Sequence, residues 1–63
     1  MNNFTPELKR LLKDAGCRFL RQGRGDHEIW ITPAGKRLVV DRTIKSRHTA
    51  NGVLKQAGLQ KAF

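Results

Sequence analysis

CRFLRQGRGDHEIWITPAGKRLVV, residues 17–40, holds three short runs of strand-forming residues separated by two turn signals, and it decides the fold. Cys17 to Gln22 reads as a first strand, and Gly23-Arg24-Gly25 as a turn leading straight into an antiparallel partner, Asp26 to Thr32. The centre of that partner, Ile29-Trp30-Ile31, is β-branched and aromatic, as a pleated, half-buried surface favours. Pro33-Ala34-Gly35-Lys36 supplies the second turn, and Arg37 to Val40 the third strand. Strands joined this closely form a meander.

Outward from the strands, each flank reads as an amphipathic helix. On the N-terminal side Thr5-Pro6-Glu7 marks a helix start: a hydroxyl to cap free amides, a proline suited to the first helical position, and a carboxylate at the positive end of the dipole. Leu8, Leu11, Leu12 and Ala15 share a face, Lys9, Arg10 and Lys13 cover the other, and Gly16 is the stop. On the C-terminal side Asp41 to His48 is a polar, basic connection. Thr49 is then expected to cap a second helix with Ala50, Val53, Leu54 and Ala57 on one face and Gly58 as its stop. The expected architecture is α+β, in the order α-β-β-β-α, with a three-stranded antiparallel sheet and two helices on one of its faces.

The chain has 63 residues, enough for one domain over 1–63 with a small core and no deep cleft. Thirteen Lys and Arg against five Asp and Glu leave a formal charge of +8, a self-repulsion that a polyanion would relieve. After Asp41 there are basic residues and no acidic one, so the C-terminal third is the electropositive end. Cys17 is the one cysteine, which rules out an internal disulfide and a zinc site built on several cysteines. We expect it to be exposed. No apolar run exceeds three residues and the start lacks the pattern of a signal peptide, so the chain reads as soluble and cytoplasmic, with no membrane partner.

The α-β-β-β-α order is that of double-stranded-RNA-binding domains. Two stretches are more specific: Gly25-Asp26-His27-Glu28-Ile29-Trp30, and Ile44 through Leu59 with Val53-Leu54-Lys55-Gln56-Ala57-Gly58-Leu59 at its end. Here the chain resembles the HicA family of toxins. The resemblance implies an endoribonuclease toxin that cleaves mRNA without metal or cofactor, on a double-stranded-RNA-binding-domain-like fold, held inactive by a HicB-type antitoxin. The family's Gly-Ser-His motif, whose histidine is catalytic, maps onto Gly25, Asp26 and His27. Its helical Ile-Leu-Lys-Gln-Ala-Gly-Leu motif maps onto Val53 to Leu59. Asp26 stands where serine is usual, and Asp41-Arg42-Thr43 where many members have Pro-x-His.

The residues support the same reading on their own terms. An imidazole titrates near neutral pH and can take the proton of a 2′-hydroxyl, and Asp26 beside His27 is a carboxylate that would favour the charged ring. Arg24, Lys45 and Arg47 are candidates for the charge that develops on phosphorus. Lys45, Arg47, His48 and Thr49 lead into a helix start suited to phosphate, and Lys55 extends the basic set. Strand alternation groups His27 with Ile29 and Ile31, which would turn it toward the helices unless the Gly25 turn or a bulge re-aims it. Glu28 falls on the other face and is given no catalytic task. Trp30 is expected to pack rather than stack on a base, though its alternation sets it apart from Ile29 and Ile31. Two other functions fit the charge: a non-catalytic RNA-binding module using the same basic surface, and a protein that meets an acidic partner chain and never RNA.

Overall fold

The computed structural model describes residues 3–63 and has the order expected: α1 (Thr5–Asp14), β1 (Arg18–Gln22), β2 (His27–Ile31), β3 (Arg37–Asp41) and α2 (Arg47–Gln56). The strands form one antiparallel sheet in the order β1-β2-β3. Among the described residues no helix is long and apolar enough to cross a membrane.

The register between β2 and β3 decides which residues are inside. Trp30 pairs with Leu38 and Glu28 with Val40, whereas Ile29 pairs with Val39 and His27 with Asp41. Trp30, Leu38 and Val40 are buried against Leu8 and Leu12 of α1 and Ala50, Val53 and Leu54 of α2, so both helices cover one face. Val39, on the opposite face, is 52% exposed. The expectation that Ile29 and Ile31 face the helices is therefore reversed, and Trp30, expected to pack but apart from the main core, is its largest fully buried side chain. Burying a ring of that size removes more apolar surface from water than burying an isoleucine would, and its N–H is satisfied by Glu28 Oε1 at 3.0 Å. A register shift between Phe19 and Arg21 marks a bulge on β1, an edge strand exposed along its whole length.

Both helices end alike. In α1 the Gly16 amide donates to Lys13 O and Cys17 to Leu12 O; in α2 Gly58 donates to Lys55 O and Leu59 to Leu54 O. Each glycine has a positive φ, +90° and +81°. This is the hydrogen-bond pattern of a Schellman stop, and the expected glycines supply it.

The helix starts differ from expectation. Phe4 occupies the N-cap of α1 and makes no side-chain cap bond. The Thr5 hydroxyl is engaged across the fold instead, accepting from Ile44 N at 2.8 Å and donating to Asp41 O at 3.2 Å. Ser46, not Thr49, caps α2, with its hydroxyl accepting from Thr49 N at 3.4 Å. Arg47 and His48 therefore belong to the first turn of α2 rather than to the loop before it. Cys17 is buried at the end of α1 rather than exposed, and burial pushes its thiol pKa up.

Candidate active site

His27 opens β2 and Asp41 closes β3, and the antiparallel register sets them side by side at one end of the open sheet face. The imidazole Nδ1 is in direct contact with Asp41 Oδ1. Both side chains are exposed, at 51% and 42%. His27 thus lies on the face away from the helices, the opposite of where alternation with a buried isoleucine pair would have put it.

The turn that delivers His27 is fastened from several sides. Gly23 N donates to His27 O at 2.8 Å and His27 N to Arg24 O at 3.1 Å, while the Gln22 side-chain amide bridges Gly25 O and His27 O at 3.2 and 2.9 Å. From the neighbouring strand end, Arg42 N donates to Asp26 O at 3.0 Å. Arg24, Gly25, Asp26, His27, Asp41 and Thr43 then line an open depression of about 460 Å³. One imidazole, two carboxylates and one guanidinium meet there. The carboxylate in contact with the ring is that of Asp41, so Asp26, the sequence neighbour, does not have that place.

The remaining basic residues lie elsewhere. Arg47, His48 and Lys55 line a second depression of about 550 Å³ along α2, joined by Asn51, Gly52, Lys61 and Phe63. Asn51 closes this side by accepting from Ala62 N and Phe63 N, both at 3.1 Å, and donating to Phe63 O at 3.2 Å. Lys45 lines neither depression. Of the three cations read as partners of His27, the fold gathers only Arg24 to it. A third hollow, of about 280 Å³, is mainly apolar and holds one carboxylate, Asp14, with no cation or imidazole.

Glu28 points to the helix face. Its carboxylate accepts from the Trp30 indole and from Lys9 Nζ, and these bonds hold its pKa below the usual carboxylate value. It takes no part in the His27 depression. No group of three or more His, Cys, Asp or Glu side chains that could hold a metal ion occurs among the described residues.

Two charged residues of these depressions, Asp41 and Lys61, were not singled out as site residues by sequence reasoning. The sequence signal for Asp41 was one residue off: a four-residue turn at Pro33–Lys36 would pair 32 with 37 and so 27 with 42, whereas Lys36 itself pairs with Thr32, which sets 31 against 37 and 27 against 41. Lys61 had none, because its place depends on the tail that Asn51 holds.

Comparison with known proteins agrees with the resemblance seen in the two motifs. The family model described as HicA toxin of bacterial toxin-antitoxin matches residues 5–59, a span that includes all five elements. No curated protein and no solved structure matches the chain. With the match running from the first residue of α1 to just beyond the stop of α2, the chain belongs to the HicA family of bacterial toxins, which act in toxin–antitoxin systems with a cognate antitoxin.

Proposed function

We propose that this toxin is a metal-independent endoribonuclease that cuts mRNA in the cytoplasm, with His27 as its acid–base residue. The observation that carries the reading is the placement of an exposed imidazole beside Arg24 in an open depression, with one ring nitrogen already turned to a carboxylate. With Nδ1 facing Asp41, Nε2 is the nitrogen left to meet a substrate. Nε2 takes the proton of a 2′-hydroxyl, the 2′-oxygen attacks the adjacent phosphorus, and the bond from phosphorus to the 5′-oxygen breaks. The 5′-oxygen leaves with a proton from water, and the other product ends in a 2′,3′-cyclic phosphate. Arg24 meets the charge that builds on the phosphoryl oxygens.

Arg47, His48, Lys55 and Lys61 bind phosphates flanking the cut, and Lys45, outside both depressions, adds to the field that attracts the chain. A HicB-type antitoxin neutralises this basic surface. The second reading, a non-catalytic RNA-binding module, draws on the separation of the α2 depression from His27, since a phosphate seat needs no imidazole. Incubating wild type and His27→Ala with a mixed-sequence RNA in EDTA separates them. Wild type should release cyclic-phosphate ends while the variant only retains RNA; equal retention with no cutting by either identifies the module.

A further inference from the structure

We propose that Asp41 is the positioning residue for His27: its carboxylate holds the imidazole in the tautomer with hydrogen on Nδ1, so that Nε2 carries the lone pair and faces the depression. The inference deepens the nuclease reading and rests on it.

The chemistry follows from what each atom can do. Nδ1 is the ring nitrogen in contact with Asp41 Oδ1; an ionised carboxylate only accepts hydrogen bonds, so the tautomer that fits this contact carries its hydrogen on Nδ1. In the neutral ring the other nitrogen is then the base. When Nε2 takes the 2′-hydroxyl proton the ring becomes a cation, and the Asp41 charge stabilises it where it forms. Orienting carboxylates act on catalytic histidines in this way in unrelated enzymes.

The scaffold keeps the two side chains in register. The Asp41 carbonyl accepts from the Thr5 hydroxyl at 3.2 Å, and the same hydroxyl accepts from Ile44 N at 2.8 Å. Phe4 N donates to Ile44 O at 2.7 Å, so the end of β3 is tied to the start of α1. Arg42 N binds the Asp26 carbonyl at 3.0 Å, which ties the same strand end to the turn before His27. Asp26, the other carboxylate of the depression, is fastened here through its backbone, and the side-chain contact with the ring belongs to Asp41. Because these ties use backbone atoms and Thr5, they survive removal of the Asp41 carboxylate. An exposed polar contact of this kind also contributes little to stability, so the fold and the ring's orientation can be tested apart.

The test uses the full chain as wild type, Asp41→Ala, Asp41→Glu and His27→Ala. Long-range ¹H–¹⁵N correlation at a pH where the ring is neutral reads the His27 tautomer, and single-turnover cleavage of RNA reads the chemical step. We expect the Nδ1–H tautomer in wild type and its loss in Asp41→Ala. The rate at saturating RNA should fall about tenfold or more without weaker RNA binding, and Asp41→Glu should recover part of it. An Asp41→Ala protein with the wild-type tautomer, or with a wild-type rate while His27→Ala is inactive, would overturn the proposal. If His27→Ala cuts like wild type, the nuclease reading fails, and the tautomer measurement alone decides whether Asp41 positions the ring.

Discussion

Lys9 of α1 reaches Glu28 of β2 with its ammonium 3.0 Å from both carboxylate oxygens, pinning the first helix to the strand that carries His27. Glu28 also accepts the Trp30 indole N–H, so one carboxylate joins a helix, a strand and the largest core side chain. Its side chain is only 16% exposed, which makes these bonds worth more than a surface pair.

The Trp30 and Lys9 bonds lower the Glu28 pKa in the folded state. Their contribution is therefore present above the unfolded carboxylate pKa and is lost as pH falls through the lowered folded value. Glu28→Gln should destabilise the protein by about 1–2 kcal/mol at neutral pH, read by urea denaturation. The gap to wild type should close progressively in acid. A gap that stays constant down to strongly acidic pH would show that the charge on Glu28 contributes nothing.

The two helix-stop glycines should respond differently to alanine. Both have positive φ, but a Cβ on Gly58 meets open space, while one on Gly16 would sit 2.9 Å from Pro33 Cγ. Gly58→Ala should cost about 1 kcal/mol from backbone strain alone. Gly16→Ala should cost clearly more, because Pro33 must move as well. Equal thermal midpoints for the two variants would contradict this account of the α1–turn contact.

Cys17 should be slow to modify. It is buried and its thiol pKa is raised by that burial, so little thiolate is present at neutral pH. A disulfide reagent should react with it at the rate of unfolding, and rapidly in denaturant; fast labelling of the native protein would refute the packing.

The α2 depression should govern affinity rather than chemistry. Lys55→Ala or Lys61→Ala should weaken RNA binding and reduce the salt slope by about one unit each, with the rate at saturating RNA unchanged. Arg24→Ala, in the other depression, should instead lower the saturated rate. If the lysine variants lose rate rather than affinity, the two depressions do not have separate tasks.

The order of elements and both glycine stops were legible in the sequence, because each is local: a period, a turn residue. That Trp30 packs was legible too, from a ring too large to leave wet, but its place inside the main core was not. Nor was the face of His27. In Ile29-Trp30-Ile31 both faces of the strand are apolar, and a charged residue at position 28 argues against putting the even-numbered face inside. Only the Lys9 and Trp30 bonds to Glu28 make that burial acceptable, and they come from tertiary structure. Thr5 and Thr49 were credible caps because a hydroxyl near a helix start can serve either its own helix or another part of the fold. The cations looked like one group because charge along a chain carries no record of which surface each residue reaches.

If His27 performs the chemistry, its removal stops cleavage and spares binding. The deciding measurement is single-turnover cleavage of one defined RNA in EDTA, by wild type and His27→Ala at concentrations saturating for each. The rate should be at least about a hundredfold lower for the variant, with RNA affinity like that of wild type and 2′,3′-cyclic phosphate ends from wild type. A variant that cuts as fast as wild type would remove His27 from the chemistry.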